Sequence, residues 1–350
     1  MNNNMEDKIS HTNPDLAYAV QLVRAACCLA GSASYLDDIR ADLTDRGIIH
    51  AIRDHDTPAL FDWLVENLSF QGISDSVASG YMAEHGSVRW ADIADGLSRR
   101  ASCPKLAGYW RFYSCRYHKG SGTCAEPGHI DGCPLPRHPL RNGRLNQMAY
   151  SLFLFIRDIA DNDFVGWIDS QLGAADSQSL DRLDVLREAM IGPLRNVYGV
   201  SDKVLAMALS DLLLAAGRRP LWVEVGATFV AVDTLVHNFL HRTGILHRLS
   251  ADHPYGDRCY RPGGCAGILH LLAANIDARQ FNPVFPATFP RFVQSAIWRY
   301  CAEDGLDICN GNRIDDDARC DNRHCQLFRR CDRMALRVER VKHENLALNQ

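Results

Sequence analysis

Four cysteines crowd the C-terminal end of this 350-residue chain: Cys309, Cys320, Cys325 and Cys331, separated by ten, four and five residues. Thiolates at such spacing can hold zinc tetrahedrally or ligate a four-iron four-sulfur cluster. Arg319, Arg323, Arg329 and Arg330 are interleaved with them, so a metal here would order a basic loop. An earlier set, Cys103, Cys115, Cys124 and Cys133, has wider spacing, with His118 and His129 between; it reads either as a second metal site or as partly buried free thiols. Cys259 and Cys265 can join either group across space. Cys27, Cys28 and Cys301 sit in apolar helical sequence and read as core. His237, His241 and His247 offer an i, i+4 pair able to bind a metal, but no Glu-based motif accompanies them, so surface or capping roles are expected.

Two further segments carry chemistry of another kind. Between Tyr198 and Ala206 the chain makes a tight turn in which Gly199 supplies the positive φ and Ser201 or Asp202 caps the following helix. A turn of this type aims backbone N–H groups outward at the positive end of a helix dipole, a ready seat for a phosphate such as that of DNA. Thirty residues after Lys203, Asp233 interrupts the apolar run Val230–Val236. A carboxylate in such surroundings is either an N-cap or a group put to use.

The elements that must position these groups are helical. Apolar residues recur at three- and four-residue steps in 17–31, 35–46, 58–68, 145–160, 181–197, 202–216, 221–243, 268–276 and 289–301, and a charged helix is expected over 331–348. No segment alternates as a strand. The predicted fold is all-α, with two helical subdomains, a central helix-hairpin-helix and a cysteine-rich metal-bound C-terminal loop. Residues 1–102 form an N-terminal helical region, 103–144 a Cys/His-rich loop, 145–252 the hairpin core and 253–350 a helical region with the four-cysteine cluster. Both aperiodic breaks, 103–144 and 253–264, are rich in Gly, Pro and Cys.

Composition bounds the partners. The net charge of −4 gives no global positive field, so a DNA-binding face must be local. Only five of the 38 basic residues are lysines, which sets Lys203 apart inside an apolar helix. The polar start, Met1–Ile9, lacks the order of a secretion signal, and no apolar run spans a bilayer, so a cytoplasmic monomer with reduced thiols is expected.

Together the two segments resemble the helix-hairpin-helix DNA glycosylases of the endonuclease III and 8-oxoguanine glycosylase superfamily. Gly199-Val200-Ser201-Asp202-Lys203 is similar to the family's hairpin with its nucleophilic lysine. Val232-Asp233-Thr234 is similar to the segment bearing its catalytic aspartate, and Arg242-Thr243-Gly244 to the ending of the following helix. Ser201 replaces the usual second glycine, and the Lys203–Asp233 interval is closer to the archaeal 8-oxoguanine branch. The resemblance spans roughly 145–331. It implies a base-excision DNA repair enzyme that flips an altered base out of double-stranded DNA, with Asp233 stabilising the charge that develops on the sugar and Lys203 forming a Schiff base that gives AP lyase activity. Gly199, Val200, Ser201, Arg141, Arg144 and His241 would contact DNA, and Gln147, Tyr150 and Trp167 would line the base pocket. The closing five-residue interval of the C-terminal quartet is similar to that of the endonuclease III iron-sulfur loop, placing a four-iron four-sulfur cluster ahead of zinc. Two other readings are a non-catalytic metal-cluster DNA-binding or redox-sensing protein and a metal-dependent hydrolase using His237 and His241.

Overall fold

The computed structural model describes residues 13–69, 77, 80, 82–84, 87–98, 103–117, 124–135, 144–179, 181–309 and 314–337. Among the described residues the fold is all-α, 59% helical with no strand. The chain divides into two compact units, one made of 36–231 and the other of 1–35 together with 232–350. This division differs from the four consecutive segments expected from composition, because the N-terminal helix belongs with the C-terminal half.

The 36–231 unit opens with α2 (Tyr35–Asp45, whose first residue belongs to the other unit), α3 (Ile48–Asp54) and α4 (Thr57–Leu68). α4 starts where Asp56 accepts from the Ala59 amide at 3.1 Å with Pro58 in the first turn. There follow α5 (Trp90–Ser98), the single turn α6 (Tyr109–Phe112), α7 (Arg144–Asp158), α8 (Phe164–Ala175), α9 (Arg182–Leu194), α10 (Asp202–Ala215) and α11 (Pro220–Gly226). α10 buries Val204, Leu205, Ala208, Leu209, Leu212 and Leu213, a stripe at helical spacing that packs on α4 and α11. Phe61, Phe153, Phe155 and Trp222 fill the same core, each contributing about 1.5–3 kcal/mol of burial.

The other unit surrounds α15 (Pro290–Cys301) with α1 (Pro14–Ala30), α12 (Thr234–Arg242) and α14 (Cys265–Ala274); the one-turn α13 (Ile245–Arg248) follows α12. Asn13 caps α1 by accepting from the Asp15 and Leu16 amides, with Pro14 opening the helix. The buried face of α1, including Val20, Val23 and Cys27, lies on α15, beside the ring cluster Phe281, Phe285, Phe289 and Phe292. The Tyr18 hydroxyl donates to the Thr243 carbonyl at 2.7 Å and accepts from the Asp332 amide at 3.1 Å, tying α1 to the cysteine-rich loop. Arg248 stacks over the Tyr18 ring at 3.9 Å and pairs with Asp332.

Two expected helices differ. The run 221–243 is broken between α11 and α12, because β-branched Val230 and Val232 favour extended backbone and Asp233, extended at φ −111°, ψ −175°, restarts the helix as its cap. Residues 331–337 are irregular with bends rather than the start of a charged helix, and 338–350 lie outside the described residues. No single described helix is long and apolar enough to cross a membrane.

Candidate functional site

The hairpin forms between α9 and α10. Gly199 takes φ +74°, a conformation that costs a residue with a Cβ, and the Tyr198 amide donates to Ser151 Oγ at 2.9 Å, anchoring the turn to α7. Arg195 closes the turn from α9, pairing with Asp202 at 2.9 Å and with Glu188. Ser201 stands at the N-cap position in extended backbone and makes no side-chain cap bond there. Lys203 sits in this first turn, half-buried.

Asp233 belongs to the other unit. Its carboxylate accepts from the Val236 amide at 2.9 Å, the geometry of an N-cap, and it is only partly buried. The preceding residue is fixed by Tyr260, whose hydroxyl accepts from the Val232 amide at 2.8 Å. Tyr255 is an exposed aromatic near this cap. Burial, then the charge of Asp233, raise its hydroxyl pKa. Tyr255 was not singled out in the sequence, where nothing in the loop 249–264 gives it a periodic place.

Helix α12 ends as the motif Arg242-Thr243-Gly244 requires: Gly244 lies at φ +78°, and a Cβ there would collide with the Asp332 side chain. Arg242 is buried and pairs with Asp316, while its carbonyl accepts from the Met334 amide at 2.8 Å. This arginine therefore holds the C-terminal loop. Together with Phe239, Tyr300 and Leu327 it lines the small cavity onto which Cys309, Cys320, Cys325 and Cys331 all open. Burial, reinforced by the other three thiols, pushes Cys331 up to about 12 and raises Cys325 too, whereas a bond from Cys301 brings Cys309 down.

Cys103, Cys115, Cys124 and Cys133 likewise line one cavity, with His129, Glu126 and Tyr117. Burial, then their neighbours' charge, raises Cys115 and Cys133. His118 lies outside the described residues. Each quartet thus lines a single cavity, but among the described residues neither forms a set of ligand atoms lying within 4.8 Å of one another.

A third group was not foreseen. His237 from α12, His253 from the loop after α13, Cys259 from a single 3-10 turn and Cys265 at the start of α14 are all buried, and their ligand atoms lie within 4.8 Å of one another. This group can bind a metal ion. His237 is therefore neither a surface nor a capping residue, and Cys259 and Cys265 join neither quartet. His247 is exposed against Asp252, and half-buried His241 has its pKa lowered by burial and then by His237. Cys28 is exposed rather than core, while Cys27 and Cys301 are buried.

The residues suggested for a base pocket are spent on packing. Gln147 is buried and donates to the Tyr117 carbonyl at 3.3 Å, Tyr150 is buried and donates to the Pro134 carbonyl at 3.2 Å, and buried Trp167 stacks on Phe164. Arg141 lies outside the described residues, as does the Arg144 side chain. Arg319, Arg323, Arg329 and Arg330 are exposed, and the last three border a shallow groove with Cys28 and Leu29. No protein family, curated protein or solved structure matches the chain.

Proposed function

We propose that the protein is a DNA glycosylase that removes an altered base from double-stranded DNA. The observation that carries this reading is a pair of local structures: a left-handed Gly199 turn feeding the N-terminus of α10 with Lys203 in its first turn, and an extended Val230–Asp233 segment that ends as the cap of α12. The first suits a phosphate, since the first amides of α10 point along the helix axis at the positive end of its dipole. The second presents one carboxylate at the end of an apolar segment, where it stabilises the positive charge that builds on the sugar as the N-glycosidic bond breaks.

In this reading water displaces the base at C1′, the Lys203 amine then condenses with the ring-opened aldehyde with loss of water to form a Schiff base, and β-elimination expels the 3′ phosphate and nicks the strand. Exposed Arg323, Arg329 and Arg330 border one groove whose lining holds no acidic residue, a local positive surface on a chain of net negative charge. The C-terminal quartet would hold a four-iron four-sulfur cluster. The buried Arg242 guanidinium lines the same cavity and is paired with Asp316, so it offsets only part of the negative charge that four thiolates leave on a zinc ion and on a cluster alike. The role of the cluster is structural, ordering the arginine-bearing loop. The Cys103 quartet, by the same donor chemistry, would hold a second metal and order the loop between α6 and α7.

The three cysteine groups also favour a second reading, a DNA-binding protein that uses metal without catalysis. Borohydride trapping separates them: a covalent adduct with damaged duplex that is lost in Lys203→Gln supports the glycosylase with lyase activity, and base release without an adduct supports a glycosylase alone.

A further inference from the structure

We propose that His237, His253, Cys259 and Cys265 bind one zinc ion, at a site separate from both cysteine quartets. Zinc in a tetrahedral site sits about 2.3 Å from sulfur and about 2.0–2.1 Å from imidazole nitrogen, which sets sulfur-to-nitrogen edges of about 3.5–3.6 Å. The corresponding separations here are 3.3 Å (His237 Nδ1 to Cys265 Sγ), 3.6 Å (His237 Nδ1 to Cys259 Sγ) and 3.4 Å (His253 Nε2 to Cys265 Sγ). These are three of the six edges of the tetrahedron that the ion would fill, and all four ligand atoms lie within 4.8 Å of one another.

The surroundings agree with the donors. His253 Nδ1 donates to the Ala251 carbonyl at 2.6 Å, which fixes the tautomer and leaves the Nε2 lone pair facing the two sulfurs. Two thiolates and two neutral imidazoles around Zn²⁺ make a site of zero net charge, and this removes the cost of burying four polar groups at 8% exposure or less. On binding, each thiol releases its proton to solvent and both imidazoles stay neutral. The sulfur–nitrogen mixture and tetrahedral spacing select zinc over calcium or magnesium, which take oxygen donors.

The site also ties the aperiodic stretch 249–264 to α12 and α14, adding to the Tyr260 bonds that hold Val232. Cys259 precedes Tyr260, the residue that holds Val232, so zinc would fix the approach to Asp233; this consequence alone rests on the glycosylase reading.

The test is an anomalous difference map at the zinc edge from crystals of the full chain grown with zinc. A peak within bonding distance of the four ligand atoms is expected, and its absence there overturns the proposal. In solution, zinc per chain should fall by one in both Cys265→Ser and His253→Ala, with iron content unchanged. Equal zinc in wild type and both variants also overturns it. A zinc peak in a protein that releases no base would leave the site standing and remove the glycosylase reading.

Discussion

The Tyr260 hydroxyl accepts the Val232 amide hydrogen at 2.8 Å and donates to the Val232 carbonyl at 3.2 Å, so one side chain holds both backbone groups of the residue before Asp233. Val232 is itself buried, so its amide and carbonyl have little access to water. Removing the hydroxyl leaves a buried N–H and C=O unsatisfied, at a cost of about 1–3 kcal/mol. Tyr260→Phe should therefore lower the urea midpoint of unfolding. It should also slow base release about tenfold with little change in KM, since a misplaced carboxylate weakens the transition state and not substrate binding. Unchanged kcat in a destabilised variant would confine Tyr260 to a structural part.

Gly199 supplies the second prediction. At φ +74° with open space around it, the position is restricted by backbone conformation alone. Gly199→Ala should cost about 1–2 kcal/mol in unfolding free energy, and it should weaken binding to undamaged duplex DNA because the α10 amides move. Fluorescence anisotropy at fixed salt reads the second effect. Full affinity in the variant would place the phosphate contact elsewhere.

Asp163 gives a pH-dependent case. It caps α8 by accepting from the Gly166 amide at 2.9 Å and contacts His55 Nδ1 at 2.9 Å. Burial alone would raise its pKa, but the Gly166 and His55 bonds prevail and lower it below the ordinary 3.8. With the folded value below the unfolded one, the stabilisation is complete above pH 3.8 and is lost as pH falls through the lower, folded value. Asp163→Ala should cost about 1 kcal/mol at neutral pH. The gap between variant and wild type should close in strong acid, as measured by urea unfolding across that range.

Metal retention at the C-terminal quartet should run in the same direction for a different reason. The Cys331 thiol, raised to about 12 by burial and its sulfur neighbours, must lose its proton to ligate. Chelator should then strip the metal faster as pH falls, and Cys331→Ser should lose the metal and loosen the loop that Arg242 anchors, raising its protease sensitivity. An absorbance spectrum distinguishes iron-sulfur from zinc at once. Retention of a full complement of metal by Cys331→Ser would remove this cysteine from the ligand set.

How much of this was legible depended on whether the signal was local. The α10 stripe, the Gly199 turn and the Asp233 cap are each written in a few consecutive residues, and the structure forms them. The quartets were legible because aperiodic sequence dense in cysteine has little else to order it. The four-ligand group was not. His237 invited pairing with His241 at helical spacing, whereas its partners sit 16, 22 and 28 residues on, and their convergence depends on the path of 249–264. The Gly, Pro and Cys-rich break that holds His253 and Cys259 and ends at Cys265 was the signal that could have found it. Nor could the sequence show that α1 belongs with α15, a contact made by residues nearly three hundred positions apart. Tyr150 and Trp167 were open to either reading because a buried ring and a stacking platform share one composition.

The most direct test takes purified protein, wild type and Asp233→Asn, and a panel of duplexes each bearing one altered base, with alkali revealing abasic sites. Asparagine caps a helix about as well as aspartate, so the substitution removes the charge and leaves α12 in place. The account predicts that wild type releases a base from at least one duplex and that Asp233→Asn, equally stable, releases it at least a hundredfold more slowly, on the order of the loss when a single charge-stabilising group is removed. Base release that survives Asp233→Asn undiminished, or a wild-type protein that leaves every duplex intact, would contradict it.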